Sequence, residues 1–132
     1  MIEAGHVLKQ FVNDTNPPKV KIYIIIARSS DFGKYATIFI NSKININKNP
    51  TVELRDLHIP IKPSIRDYID HDSYIDCSEI RERDYAEIYT AVSENPDLII
   101  GKLDDIDLSE VLDTLKQAKT ITLILKKRYG LI

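Results

Sequence analysis

One stretch near the start of the chain, VKIYIIIA at residues 20–27, constrains the fold more than any other part of the sequence. Its residues are almost all β-branched or aromatic, a composition that favours an extended strand. Apolar side chains occupy adjacent positions, so both faces of the strand must be covered by other parts of the chain. The run therefore predicts the central strand of a sheet that is buried on both sides.

Strands are also predicted on either side of this run. GHVLKQFV at residues 5–12 and YATIFIN at residues 35–41 have the composition of strands, with Val7 and Phe11 expected on one face of the first. The turn-forming sequences TNPP and DFG separate these segments from the central run. Because the connections are short, neighbouring strands are expected to pair antiparallel.

Shorter strands are predicted further along the chain, at residues 73–77 and 98–103. Gly101 in the second of them indicates a bend or a close approach of the backbone to another part of the chain. Two prolines in TVELRDLHIPIKP, residues 51–63, confine any strand there to an edge of the sheet.

Helices are predicted mainly in the second half of the chain. Residues 81–96 and 107–119 carry apolar side chains at helical spacing, and residues 64–70 favour a short helical turn. Residues 120–130 fit a short helix that stops at Gly130, although their β-branched residues also allow a strand. The sequence therefore predicts one α+β domain, built on a small barrel-like antiparallel sheet with C-terminal helices.

The composition excludes several classes of protein. The longest apolar run, IYIIIA at residues 22–27, is too short to cross a membrane, and no secretion signal leads the chain, so a cytoplasmic protein is expected. The single cysteine, Cys77, excludes an internal disulfide and a CxxC zinc site; a buried, unreactive thiol is expected, with a reactive thiol as the alternative. The sequence motifs of nucleotide-binding loops, zinc proteases and α/β-hydrolases are absent, and no cofactor is predicted.

The histidines do not predict a metal site. His6, His58 and His71 are far apart and lack acidic or cysteine partners at ligand spacing. The sequence HDS at residues 71–73 favours a turn, because adjacent residues on a strand point to opposite faces and cannot form a relay. A functional cluster at HDS is the alternative.

Charge is unevenly distributed along the chain, although the net charge is only −2. Residues 1–50 carry seven basic and three acidic residues, residues 51–110 carry six and sixteen, and residues 111–132 carry five and one. Basic ends are typical of a surface that binds a polyanion. The alternative is that the two ends neutralise the acidic middle of the chain.

Basic and amide side chains are concentrated around the first strands. They are Lys19, Lys21, Arg28, Lys34, Lys43 and Lys48, with Ser42, Asn41, Asn45, Asn47 and Asn49 among them. Single-stranded nucleic acid needs positive charge for its phosphates, amides for base edges and a ring for stacking, which Tyr23 or Tyr35 would supply. The alternative for each lysine is a solvated surface position or the protection of a sheet edge.

The segments GHVLKQF, KIYIIIAR, FINS, SYIDCSEI and IGKL follow one another in this order and precede a C-terminal helix. This order resembles the PemK/MazF family of toxins from toxin–antitoxin systems, and the resemblance covers most of the chain. It implies one domain over residues 1–132 with an SH3-like barrel, and a homodimer that cuts single-stranded RNA without a metal. A cognate antitoxin protein is the implied second partner.

The resemblance also implies roles for individual residues. Lys21 and Ile22 stand where the family has arginine followed by proline, and Ser42 stands where a hydroxyl residue ends the third strand. Lys21 is thereby assigned phosphate stabilisation and proton transfer, and Ser42 phosphate contact, while the ribose 2′-OH attacks the neighbouring phosphate. The residues implied to bind the RNA on either side are Lys19, Lys43, Asn45 and Lys48.

Lysine is not equivalent to arginine at the position of Lys21, because arginine holds two phosphate oxygens with a planar fork and lysine is a point charge. Three functions therefore stay open: an RNA-cleaving toxin, a module of the same fold that binds RNA or protein without cutting, and an interaction domain that binds no nucleic acid. Cleavage by the implied pair requires that Lys21 and Ser42 face one cleft.

Overall fold

The computed structural model describes residues 2–132, and it confirms the α+β class predicted from the sequence. The strands are β1 His6–Val12, β2 Lys19–Arg28, β3 Lys34–Asn41, β4 His58–Ile61, β5 Ser73–Asp76, β6 Arg81–Asp84 and β7 Ile99–Lys102. The helices are α1 Val52–Arg55, α2 Tyr85–Glu94, α3 Asp105–Gln117 and α4 Leu123–Arg128, with 3-10 turns at Pro63–Ile65 and Pro96–Leu98. Two helices follow the last strand, as predicted.

The strands form an antiparallel sheet in the order β4, β5, β3, β2, β1, β7. The long strand β3 has two partners on its outer edge: its end pairs with β5 at Ile40 and Asn41, and its start pairs with β6 at residues 34–37. The sheet is a curled antiparallel half-barrel, which confirms the small barrel-like sheet predicted from the sequence.

The run VKIYIIIA lies at the centre of this sheet, as its composition predicts. It belongs to β2, which pairs with β1 on one side and with β3 on the other. Ile24 and Ile26 point into a core on one face of the sheet, whereas Tyr23 and Ile25 point into a second core on the opposite face. Each of these side chains contributes about 1.5–3 kcal/mol by its burial.

Different helices cover the two faces of the sheet. Val111 and Leu115 of α3 pack in the core that contains Ile24, and we call this side of the sheet the α3 face. Ile88 of α2 packs in the core that contains Tyr23, and we call this side the α2 face. Alternation along each strand assigns every side chain of the sheet to one of the two faces.

A β-bulge interrupts the pairing of β2 with β3. Next to the hairpin Ala27 pairs with Ala36, whereas beyond the bulge Ile25 pairs with Thr37. β2 therefore contributes one extra residue, Ile26, which packs against the α3-face core together with its neighbour Ala27. The bulge sets the register of the remaining part of the two strands.

Residues 81–84 form a strand, which corrects the prediction of a helix over residues 81–96. α2 begins only at Tyr85, where the Asp84 carboxylate caps the helix by accepting a hydrogen bond of 3.2 Å from the backbone N–H of Glu87. The sequence RERD is charged throughout, so it has neither an apolar alternation nor a helical stripe. It is a strand because the start of β3 offers an edge with which it can pair.

Other local predictions have mixed outcomes. The edge position predicted within residues 51–63 is confirmed for β4, although the one-turn helix α1 precedes that strand. The helix predicted to stop at Gly130 is α4, which ends just before this glycine; Gly130 has a φ of +69°. The expected burial of Cys77 is confirmed, and this burial raises the pKa of its thiol. Phe11, by contrast, is 58% exposed and lies outside both cores.

Gly101 in β7 lies directly against the side chain of Tyr68, which is the close approach that a glycine at this position indicates. A Cβ atom at Gly101 would lie 3.0 Å from Tyr68 Cβ and 3.1 Å from Tyr68 Cδ2. We expect Gly101→Ala to lower the free energy of unfolding by about 1–3 kcal/mol, measured by urea denaturation, because the neighbours must shift.

Gly33→Ala is the matched control for this substitution. A Cβ atom at Gly33 would meet its nearest neighbour, Asp31 Oδ1, at 3.5 Å, an ordinary contact distance. Its effect is expected to stay within about 0.5 kcal/mol. Equal losses of stability in the two variants would contradict the packing explanation for Gly101.

Candidate nucleic-acid interface

Three cationic side chains lie around the ring of Phe39 on the α2 face. The Lys21 Nζ atom is 4.8 Å from the ring centroid, and the guanidinium carbons of Arg81 and Arg83 are 4.7 and 5.6 Å from it. Phe39 belongs to β3, which lies between β2 with Lys21 and β6 with the two arginines. We call Lys21, Arg81 and Arg83 the three-cation cluster.

Hydrogen bonds and an ion pair hold the two arginines in place. Arg83 donates from Nε to the Thr37 hydroxyl at 3.0 Å, and its guanidinium lies 4.7 Å from the ring centroid of Tyr23. Asp14, in the loop between β1 and β2, contacts both guanidinium groups, at 3.4 Å for Arg81 and 3.2 Å for Arg83. The donors are therefore already oriented before a ligand arrives, which lowers the entropy cost of binding one.

Lys21 is half-buried beside the arginines. Its ammonium donates a hydrogen bond to the Asn41 side-chain oxygen on the neighbouring strand. Burial, followed by the positive charges of Lys19 and Arg81, lowers the pKa of Lys21, and the opposing effect of Asp76 is smaller. A lysine in this environment gives up its proton more readily than a lysine in water.

Acidic groups compensate part of this positive charge. Asp14 pairs with both arginines, and Glu79 lies 3.2 Å from Arg81. The Arg81 Nε atom is nevertheless buried and has no hydrogen-bond partner within residues 2–132. An unpaired buried donor costs about 1–3 kcal/mol.

The structure does not bring Lys21 and Ser42 together. Lys9, Ile22 and Ile40 are consecutive cross-strand partners, and with Ser42 they line one cavity on the α3 face. Lys21 precedes Ile22 and therefore points to the other side of the sheet, toward Phe39. Cleavage by Lys21 and Ser42 together would require both side chains to face one cleft. Within a single chain they do not.

The remaining residues predicted to bind RNA lie at the surface. Lys19 is exposed at the start of β2, and its charge acts on the ammonium of Lys21. Lys43, Asn45 and Lys48 are exposed in the loop after β3. The Asn45 side chain also shapes this loop, because its Oδ1 accepts a hydrogen bond of 3.0 Å from the backbone N–H of Asn47.

The aromatic residues expected to stack on bases are not available for it. Tyr23 has no exposed surface and Tyr35 is 5% exposed, so the prediction of a stacking role for either residue is wrong. Burial also raises the pKa of Tyr23 to about 12, which keeps its hydroxyl protonated. Exposed aromatic surface is found instead at Phe11, Phe32 and Tyr89, which are 58%, 64% and 55% exposed.

Sequence reasoning missed Arg81, Arg83 and Asp14 as parts of this site. The two arginines were assigned to a helix, and as strand residues two positions apart they point to the same face of the sheet. Asp14 is 67 positions from Arg81 and meets it only through the tertiary fold. The signal available in the sequence was the alternation of the arginines in RERD.

Comparisons with known proteins do not add to this description. No protein-family model matches the chain, and no curated protein sequence matches it. Within residues 2–132 no group of His, Cys, Asp or Glu side chains is arranged to hold a metal ion. None of the helices described for the chain is long and apolar enough to cross a membrane.

Proposed function

We propose that the protein is a metal-independent endoribonuclease that cleaves single-stranded RNA, and that it acts in the cytoplasm as the toxin of a toxin–antitoxin pair. The observation that carries this proposal is the three-cation cluster, with three cations around one ring on an otherwise acidic chain. Such a cluster suits a phosphate diester, which carries one negative charge and offers two free oxygens to guanidinium donors.

The proposed reaction uses groups that the cluster brings together. Arg81 and Arg83 bind the phosphate oxygens, and Asp14, released from the arginines, accepts the proton of the ribose 2′-OH. The 2′-oxygen forms a bond to phosphorus while the bond to the 5′-oxygen breaks, and Lys21 donates a proton to that leaving oxygen. The products are a 2′,3′-cyclic phosphate and a free 5′-hydroxyl, with no metal or cofactor consumed.

The surface residues extend this site along the RNA. Lys19 lies next to the cluster, and the loop that carries Lys43, Asn45 and Lys48 follows the strand of Phe39. Ser42 has no part in the proposed cleavage, because it belongs to the other face of the sheet. The proposal includes a homodimer and an antitoxin protein that covers the three-cation cluster with acidic side chains.

The second candidate function is a module that binds RNA or a protein without cutting. One observation favours it: Asp14 already occupies both arginines. Binding requires only that a phosphate compete with one carboxylate. Cleavage requires in addition that Lys21 and Asp14 reach opposite sides of the same phosphate.

An RNA-binding measurement distinguishes these two candidate functions from the third possibility, an interaction domain that binds no nucleic acid. For three phosphate contacts, the logarithm of the association constant should fall against the logarithm of salt with a slope of about −2. Affinity for a labelled single-stranded RNA should therefore drop about 20-fold between about 50 and about 200 mM salt, measured by fluorescence anisotropy.

Arg83→Ala removes one contact and should reduce this slope by about 0.7. Lys119→Ala is the matched control, since Lys119 is an exposed cation after α3, and it should leave the slope unchanged. Affinity that does not depend on salt, or equal slopes in all three proteins, would exclude the three-cation cluster as a phosphate site.

A further inference from the structure

A second group of reactive side chains lies on the α3 face, away from the three-cation cluster. The Ser42 hydroxyl is 2.8 Å from His71 Nε2, and His71 Nδ1 is 2.5 Å from the Asp70 carboxylate. Because a carboxylate only accepts, His71 Nδ1 carries the proton and donates to Asp70, so that Nε2 is free to accept the proton of Ser42. This is the order of groups that activates a serine as a nucleophile.

The sequence did not predict this arrangement. The turn predicted at HDS is a bend at Asp70 and His71, and Ser73 already begins β5. The ring of His71 makes its hydrogen bonds with Ser42 and Asp70, not with the side chains of Asp72 or Ser73. Ser42 comes from a different part of the chain, 29 positions away. Only the sheet brings the end of β3 close to the segment between β4 and β5.

The relay stands at a cavity of about 480 Å³. Ile22, Ile40, Ile69 and Ile100 supply apolar parts of its wall, and Lys9 supplies a cation. Tyr68 also lines it; the hydroxyl of Tyr68 is buried and has no hydrogen-bond partner within residues 2–132. An apolar wall with a few polar groups fits a small ligand that has an apolar body and one polar end.

The backbone around His71 is held by one local hydrogen bond and one tertiary ion pair. Ser73 donates from its hydroxyl to the His71 carbonyl oxygen at 3.0 Å. Earlier in the same segment, Arg66 forms a two-pronged ion pair with Asp107 of α3, with distances of 2.7 and 3.0 Å. The imidazole is thus attached to a segment that is anchored to the helix layer, although its ring is 58% exposed.

We propose that Ser42, His71 and Asp70 form a second active site that hydrolyses small carboxylic esters with an apolar acyl group. The Ser42 oxygen attacks the carbonyl carbon and its proton passes to His71 Nε2. The ester C–O bond then breaks, and His71 returns the proton to the leaving alcohol. Water, deprotonated by His71, attacks the acyl-serine in turn, which releases the carboxylic acid and restores the Ser42 hydroxyl.

Asp70 is a positioning residue in this scheme, since it touches His71 and not the ester. Its side chain is 95% exposed, so water competes for its hydrogen bond and weakens its hold on the ring. We therefore expect a modest activity, with hydrolysis of p-nitrophenyl butyrate about 100-fold faster than in buffer.

The test combines ester hydrolysis with labelling by a fluorophosphonate, located on the chain by peptide mass spectrometry. Labelling at Ser42 and hydrolysis should both be lost in Ser42→Ala. In His71→Gln hydrolysis should fall about 100-fold, to near the rate in buffer, and labelling should be lost as well. Ser30→Ala, an exposed serine whose side chain makes no hydrogen bond within residues 2–132, is the matched control and should keep both. Asp70→Asn should lower kcat and leave KM unchanged.

Hydrolysis that survives in Ser42→Ala, labelling that survives in His71→Gln, or a wild-type protein that is neither labelled nor active would each overturn the proposal. Ser42 is exposed, and its replacement by alanine removes no core contact. A loss of activity in this variant would therefore not be caused by unfolding. Lys21→Ala should retain full esterase activity, so this variant distinguishes a failure of the esterase proposal from a failure of the ribonuclease proposal.

Discussion

Replacing Lys21 with alanine is expected to lower the rate of RNA cleavage by about 100-fold or more. The substitution removes the group that is proposed to protonate the leaving 5′-oxygen, and it removes one of the three charges around Phe39. Lys21 is only half-buried, and its hydrogen-bond partner Asn41 can bind water instead, so the fold should persist. Circular dichroism of the variant checks this point.

The measurement is cleavage of a long single-stranded RNA in the presence of EDTA, with the new ends mapped and their phosphates identified. Wild-type protein and Lys119→Ala should produce the same discrete ends with cyclic phosphates. Undiminished cleavage by Lys21→Ala would remove Lys21 from the mechanism. RNA that stays intact with wild-type protein at every concentration would favour the silent binding module.

Lys21→Arg separates the two roles assigned to the lysine. Arginine keeps the positive charge but does not release its proton, so this variant should bind RNA as tightly as the wild type and cleave it more slowly. In the wild type the protonated lysine is the active form, so cleavage should decline as the pH rises through its lowered pKa. Cleavage by Lys21→Arg at the wild-type rate would show that only the charge matters.

Ile24→Ala is expected to lower the free energy of unfolding by about 2–5 kcal/mol. Ile24 lies in the middle of the central strand, has no exposed surface and packs in the α3-face core. Truncation removes three carbon atoms there and leaves a cavity that the rigid sheet cannot close. Chemical denaturation followed by circular dichroism measures the loss.

Val20→Ala on the same strand is the matched control, because Val20 is β-branched and 53% exposed. It should cost less than about 1 kcal/mol, the size of a strand propensity effect. Similar losses in the two variants would mean that the strand is not buried on both sides as described.

Much of the fold could be predicted because strands of apolar β-branched residues have few alternatives. The composition of VKIYIIIA favours a strand that is buried on both faces, and in the structure this run lies in β2, between β1 and β3. β6 could not be predicted in the same way, since RERD is stabilised by pairing with β3 and by the contact of its arginines with Phe39 and Tyr23. These are properties of its neighbours and not of its own pattern.

The candidate site was predictable only in part for a similar reason. Lys21 was identified from its place in the sequence, and the structure surrounds it with other cations. Its partners Arg81 and Arg83 come from a strand whose charged sequence has no apolar alternation, and the relay of Ser42 with His71 joins segments that are far apart. Contacts between distant segments depend on strand register, which a single sequence does not specify.

The extra residue in β2 decides which side chains are neighbours on each face. If the pairing next to the hairpin, Ala27 with Ala36, continued without the bulge, Lys21 would lie opposite Ser42. With the bulge, Lys21 meets Asn41, and the hydroxyl turns to the imidazole on the other side. Gain or loss of one residue in this strand would therefore change which reactive side chains lie next to each other, while the reacting groups themselves stay the same.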